Sequence, residues 1–222
     1  MKERGMIFNA EMIRAILDGR KTQTRRIVNW RGLNGGLNLN FSGLKVCEYP
    51  KGWVIESESR SSSEWRCQPT PCPFGIVGDR IWVRETWAEA GGNAPELQLY
   101  RANYPEHVPS HYEHLRPAEE IRWRPSIHMP RWASRLTLEI TNVGVQRLQS
   151  ISQNDAAREG LVRLPASGRY CINQGDQYFG GASHDAREVF SWLWSSIYGD
   201  DSWQANPWVW VIEFKQVDGG AA

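Results

Sequence analysis

The 222-residue chain is short of the features that place a protein quickly. It has four cysteines, Cys47, Cys67, Cys72 and Cys171, at irregular spacing. Cys67 and Cys72 are too far apart for a CxxC knuckle, and no second pair completes a tetrahedral set. A zinc ribbon or finger and a disulfide framework are therefore both excluded. His107, His111 and His114 could share one helix face, but Pro109 interrupts that run. No metal and no other cofactor is expected. No run approaches the roughly 20 apolar residues of a membrane span, and residues 1–10 lack the apolar stretch of a secretory signal. The expected location is the cytoplasm, with no membrane partner. Charge of one sign is also lacking: 26 Lys and Arg against 25 Asp and Glu leave +1. Any attraction to nucleic acid must then be local.

What the chain does have is tryptophan, twelve in all. An indole has a flat face and a polar N–H, so it builds cores and also stacks on bases. Most of the twelve are expected in core or loop packing. The 41% hydrophobic and 23% charged fractions are those of an ordinary globular protein. The length suits one domain, which at this size buries roughly 70–75% of its unfolded surface.

The first element is a helix. Asn9 is a fitting N-cap, Met12, Ile13, Ile16 and Leu17 share one face, and Gly19 ends the run. Residues 32–73 loosen into Gly, Asn, Ser and Pro and are expected to be an insertion of hairpins and loops. Gly78-Asp79 signals a turn into a strand at 81–84. Residues 90–125 form a second insertion with a strand at 97–100. Over 135–148, Leu136, Leu138 and Ile140 alternate, and the apolar phase then slips to Val143 and Val145, as a β-bulge would cause. Ser152 caps a short helix through Glu159, closed by Gly160. A longer helix covers 185–198, and a strand at 208–217 is apolar on both faces in its first half, as a central strand is. Residues 219–222 are expected to be a frayed tail. The order is α+β, and short strands with a bulge favour a small closed or nearly closed barrel with flanking helices and large loop insertions.

Two polar clusters stand out. Five of the eight residues 19–26 are Gly, Lys or Arg, with Thr22 and Thr24 adding hydroxyls. A solvated basic turn complementing a helix C-terminus would look the same. The second cluster, Arg116, Arg122, Arg124, His128, Arg131 and Arg135, interleaves with Trp123 and Trp132. Alternating cations and rings suit single-stranded nucleic acid, and Arg–Trp stacking inside a folded loop uses the same residues. Glu85, beside the 81–84 strand, is read as a partner for Arg80 or Arg84.

Gly19-Arg20-Lys21 followed by Thr24 and Arg26 resembles the signature of the ASCH domain, a relative of the PUA RNA-binding barrel. The stretches 78–83, 151–161 and 208–214 resemble its Gly-Asp-led strand, its short helix and its closing strand. The phrases at 18–26, 83–87 and 125–132 resemble a bacteriophage and prophage branch. The resemblance implies one ASCH (PUA-like) domain over residues 1–218, with insertions at about 32–73 and 90–125. It implies binding of RNA or a modified nucleobase or nucleoside in a basic cleft. In some members it implies hydrolysis, as an amidohydrolase on acylated cytidine or as a ribonuclease.

Carried over by position, the catalytic set is Lys21, Thr24 and Glu159. Arg20, Arg25, Arg26, Arg124, Arg131, Trp123 and Trp132 are the residues expected to bind substrate or nucleic acid. Thr24 stands where many members have Glu, which leans toward the hydrolase subset and away from a carboxylate-based nuclease. Lys21 and Thr24 are an odd number apart, so they share a site only if the chain turns between them. A non-catalytic RNA-binding module, and a phage accessory protein that binds a protein partner through its Trp-rich loops, are the competing expectations.

Overall fold

The computed structural model describes residues 1–32, 38–41, 43–58, 66–91, 96–112 and 115–217. His114, Trp65, the 61–63 serines and the tail expected at 219–222 lie outside the described residues. The fold is α+β. Its strands are β1 (Glu3–Ile7), β2 (Gln23–Ile27), β3 (Leu44–Tyr49), β4 (Gly52–Ser57), β5 (Arg80–Arg84), β6 (Trp87–Glu89), β7 (Gln98–Tyr100), β8 (Thr137–Arg147), β9 (Val162–Arg163), β10 (Tyr170–Cys171), β11 (Ala182–Ser183) and β12 (Trp208–Val217). Among the described residues three α-helices join them: α1 (Ala10–Leu17), α2 (Gln153–Arg158) and α3 (Ala186–Tyr198). None of the described helices is long and apolar enough to cross a membrane.

The main sheet runs β1-β5-β8-β12-β2. β1 lies parallel to β5, and the other neighbours are antiparallel. A closed barrel is not formed, since β1 and β2 are the two edges and no ladder joins them among the described residues. A side chain spans the gap instead. Arg26 of β2 donates Nη2 to the Ile7 carbonyl at 3.0 Å, with its guanidinium 5.3 Å from the Phe8 ring. The slip of apolar phase in β8 is a bulge. Glu213 pairs with Asn142 and Phe214 with Ile140, so Thr141 is the extra residue.

β12 is central, as its two apolar faces require. Trp210, Ile212 and Phe214 enter a core with α1, β1 and β5, while Val209 enters a second core with α2 and α3. The 32–73 stretch contributes more than loops. Its β3–β4 hairpin carries Val54 and Ile55, fully buried, into the first core, together with Cys67 and Cys72. All four cysteines are free thiols. β1 is the strand that composition does not announce, because only Met6 of its five residues is buried.

The helix ends follow capping chemistry. Asn9 accepts from the Met12 N–H at 2.9 Å, and the Ser152 hydroxyl accepts from Asp155 N–H at 3.1 Å. Gly160, at φ +111°, sits where a Cβ would come within 2.7 Å of the Ala15 Cβ, so its smallness lets the end of α2 approach α1. Glu85 is not paired with Arg80 or Arg84. Its carboxylate accepts two bonds from Arg135, at 2.9 and 3.0 Å, while Arg84 donates to the Ser126 and Ile127 carbonyls. Alternation places Glu85 on the side away from Arg84, toward the end of the loop where Arg135 leads into β8.

The turn at Gly78-Asp79 anchors the N-terminus to β5. Asp79 accepts from Lys2 N–H at 2.7 Å, Ile76 N–H at 3.3 Å and Arg4 Nη1 at 3.1 Å. The Lys2 backbone bond, chiefly, holds its carboxyl below the usual 3.8. A depressed folded pKa adds stability above the ordinary value and loses it as pH falls through the folded one. Urea unfolding from pH 7 downward should therefore show a constant advantage of wild type over Asp79→Asn above about pH 5. That advantage should shrink below the ordinary pKa. A difference that does not change with pH would contradict this role.

Candidate functional site

The segment after α1 is folded by one tight reversal. Gly19 takes φ +72°, and the Lys21 N–H then bonds back to the Ala15 carbonyl at 2.9 Å. Lys21 forms an isolated antiparallel bridge with Glu159, the C-cap residue of α2. From there the chain enters β2, and strand parity sorts the side chains. Arg25 pairs with Val211 and Gln23 with Glu213, whereas Thr24 pairs with Ile212 and Arg26 with Trp210. Antiparallel partners share a face, so Arg25 looks toward α3 with Val211, and Thr24 looks into the first core with Ile212.

The structure brings Lys21 and Glu159 together and leaves Thr24 apart. Lys21 Nζ donates to Glu159 Oε2 and to the Glu159 carbonyl, both at 2.8 Å. The other carboxylate oxygen, Oε1, accepts from Arg25 Nη1 at 2.8 Å. Arg25 Nη1 also donates to Gln23 Oε1 at 3.0 Å, and Gln23 Nε2 donates to Asp155 Oδ1 at 3.0 Å. The Thr24 hydroxyl, fully buried, accepts instead from Arg26 Nη1 at 3.0 Å. Lys21, Gln23 and Arg25 thus form a row of period two against α2, and Thr24 and Arg26 form the row behind it.

The charges of that front row are cut off from water. The side chains of Lys21, Arg25 and Glu159 are 0%, 1% and 2% exposed. Burial pushes the Lys21 ammonium below the ordinary lysine range. The Glu159 carboxylate pulls the other way, and Arg26 and Arg25 add to the lowering. Two cations share one carboxylate. Arg25 is also incompletely bonded, since its Nε and Nη2 are buried without a hydrogen-bond partner. A recess of about 10 Å³ lies against Arg25, Arg26 and Glu159, covered by Phe190, Leu193 and Trp194 of α3. That is room for one water.

A roomier cleft lies elsewhere. It measures about 740 Å³, and of the sequence-predicted residues only Arg20 lines it. Arg14, Arg158, Arg163 and Tyr170 stand with Arg20, against Glu11 and Asp18. Most of these arginines are engaged: Arg20 with Asp18 and the Gly160 carbonyl, Arg158 with Thr22 and Glu213, Arg14 with the Ala102 carbonyl.

The interleaved Arg–Trp segment is knitted into the loops. Arg124 makes two bonds of 3.1 Å to Glu89 and lies 5.0 Å over the Trp87 ring. Arg131 donates to Glu3 at 2.9 Å. Trp123 donates its indole N–H to the Ala118 carbonyl and packs edge-on against Tyr104. Trp132 meets Trp87 edge-on at 5.4 Å and is 64% exposed, the only strongly exposed Trp among the described residues. Among the described residues, no three His, Cys, Asp or Glu are grouped to hold a metal ion.

Gln23 and Asp155 complete the network, and the sequence reading did not single them out. The signal was the alternation 21, 23, 25, which puts a lysine, an amide and an arginine on one face. Compared with protein-family models, with curated proteins and with solved structures, the chain matches none.

Removing one partner of a buried ion pair strands the others and costs about 3–5 kcal/mol. Glu159→Ala leaves two buried cations without their carboxylate, and a stability loss of that size is expected from the urea midpoint at unchanged m-value. A loss below about 1 kcal/mol, the size of a surface pair, would contradict the burial described here.

Proposed function

We propose that this chain is an ASCH-type, PUA-like protein that binds a modified nucleobase, nucleoside or RNA and hydrolyses an amide on it, the acylated-cytidine chemistry. The observation that carries the reading is the Lys21–Glu159–Arg25 set. Two cations and one carboxylate lie out of water beside a recess, and a displaced lysine pKa with a named charge partner marks a candidate site for proton transfer. Support for the PUA-like shape is the mixed five-stranded sheet whose edges are bridged by Arg26, with helices on its flank.

Thr24 faces the other way, so the nucleophile in this reading is water. Lys21 as the free amine takes a proton from that water as its oxygen attacks the acyl carbon. Buried cationic nitrogens stabilise the oxyanion that forms. The C–N bond then breaks, and the leaving amine takes a proton delivered through the Lys21–Glu159 pair. The products are the free amino base and a carboxylic acid, which gives its proton to solvent and leaves as the carboxylate. The recess as it stands admits one water, so a base enters only when the α3 end at Trp194–Tyr198 moves outward. Ile197, at that end, is 42% exposed.

A second reading is a non-catalytic RNA-binding module, and the arginine-lined cleft of about 740 Å³ favours it. Cations with one tyrosine suit phosphates and a stacked base. One experiment separates the two. Purified protein incubated with N4-acylated cytidine and analysed by mass spectrometry should yield cytidine. Lys21→Met and Glu159→Gln, checked for folding, should each lose at least about 10²-fold in rate. No cytidine from any acylated form, with salt-sensitive binding of single-stranded RNA weakened by Arg163→Ala, would replace the hydrolase with the module.

A further inference from the structure

β7 pairs only with β6, and no strand lies along its other edge among the described residues. Within the hairpin, Arg101 N–H bonds to the Thr86 carbonyl and Ala90 N–H to the Leu97 carbonyl. Antiparallel alternation then turns the backbone groups of Gln98 and Tyr100 outward, away from β6. Tyr100 is buried, so its outward N–H needs a protein acceptor. The acceptor is a histidine seven residues on. Tyr100 N–H donates to His107 Nε2 at 3.1 Å, and His107 Nδ1 lies 3.2 Å from the Asn103 carbonyl oxygen. An amide N–H only donates and a carbonyl only accepts. Both contacts are therefore hydrogen bonds in one form alone, the neutral imidazole with its proton on Nδ1. A proton added at Nε2 would face the Tyr100 N–H, and that bond would be lost.

The groups around the ring favour the same neutral form. The Tyr100 and Tyr104 rings flank the imidazole, with centroids 5.3 and 6.2 Å away. The Tyr100 hydroxyl, pushed up to about 12 chiefly by burial, carries no charge at neutral pH. Arg135, just ahead of β8, lies 4.1 Å over the Tyr100 ring and donates to Asn103 Oδ1 at 2.9 Å. The carboxylate near it, Glu85, already takes two bonds from Arg135. From α1, Arg14 brings a further cation to the turn, donating to the Ala102 carbonyl at 2.8 Å. No carboxylate bonds the imidazole among the described residues. Burial, above all, pushes His107 below the ordinary 6.5; Arg135 adds to the lowering, and the Asn103 and Gln98 carbonyls oppose it.

We infer that His107 is a pH-sensitive latch on the second insertion: neutral, it closes the 103–107 turn over the free edge of β7, and charged, it releases that edge. The turn follows directly on Ala102, whose carbonyl anchors Arg14 of the arginine-lined cleft, so the latch also steadies that part of the cleft wall. It stands apart from the Lys21–Glu159 set and holds whether or not that set is catalytic. The sign follows from the neutral folded form. A folded pKa below the ordinary value gives a contribution that is present above 6.5 and lost as pH falls toward the folded value. Across that window the opened turn binds the proton that the closed turn refuses. Opening then becomes easier by up to about tenfold per pH unit.

The test is amide hydrogen exchange of the intact protein from about pH 7.5 down to about pH 5, corrected for the intrinsic rate. Protection at Tyr100 should fall below the ordinary histidine value, by up to about tenfold per pH unit. Trp87, whose N–H bonds to the Arg124 carbonyl on the other edge of the same hairpin, should keep its protection. In His107→Gln, which has nothing to titrate there, the step at Tyr100 should vanish. Long-range 1H–15N spectra of the wild-type imidazole decide the matter even if that variant does not fold. They should show the His107 proton on Nδ1 at neutral pH and a titration below 6.5. A Tyr100 amide whose protection ignores pH, the same step in His107→Gln, or a neutral His107 with its proton on Nε2 overturns the proposal.

Discussion

Two cations and one carboxylate share a volume from which water is shut out, and the rest of the site depends on that contact. Charges as buried as Lys21, Arg25 and Glu159 are tolerated only when each is bonded to another, because the cost of removing them from water is several kcal/mol per ion. The bonds come from different parts of the chain: the reversal after α1, the middle of β2 and the C-cap residue of α2. Holding them together fixes where α2 ends and which face β2 turns toward α3. Gly160 makes the approach physically available, since any side chain there would collide with Ala15. A carboxylate at the negative end of a helix is disfavoured by the dipole, and the two cationic neighbours of Glu159 offset that.

Much of the secondary structure was legible because it rests on local rules. Asn9, Ser152 and Asp185 cap the helices as their side chains allow, and β12 shows its central position in the apolar residues on both faces. The bulge in β8 was visible as a slip in phase, one residue from where the ladder places it. Less legible was what depends on pairing across the chain. β1 carries three charged or flexible residues, Glu3, Arg4 and Gly5, and becomes a strand only because β5 receives it. The barrel expectation overshot for a related reason. Closure depends on whether two edges meet, and here a side chain, Arg26, spans what a ladder would have closed.

The site was half legible. Lys21 and Glu159 were singled out and do meet. Thr24 was singled out with them, although its odd spacing from Lys21 already set it on the other face, and Ile212 opposite it settles the matter. Arg124, Arg131 and Trp123 looked like a nucleic-acid surface because composition cannot show that Glu89, Glu3 and the Ala118 carbonyl wait for them. Of the twelve tryptophans, the rings at Trp30, Trp87, Trp194 and Trp210 are core. What remains outward includes an arginine-lined cleft of about 740 Å³, far roomier than the recess of about 10 Å³ at the buried charge set.

The central claim is that burial lowers the Lys21 pKa and that Glu159 opposes the lowering. The chain has five lysines, so labelled lysine side chains followed by NMR through an alkaline titration resolve it directly. The account predicts that the Lys21 resonance titrates below the ordinary 10.5 and moves lower still in Glu159→Gln, because the neighbour that raises its pKa is gone. A Lys21 that titrates at or above the ordinary 10.5, and ignores the loss of the carboxylate, would contradict it.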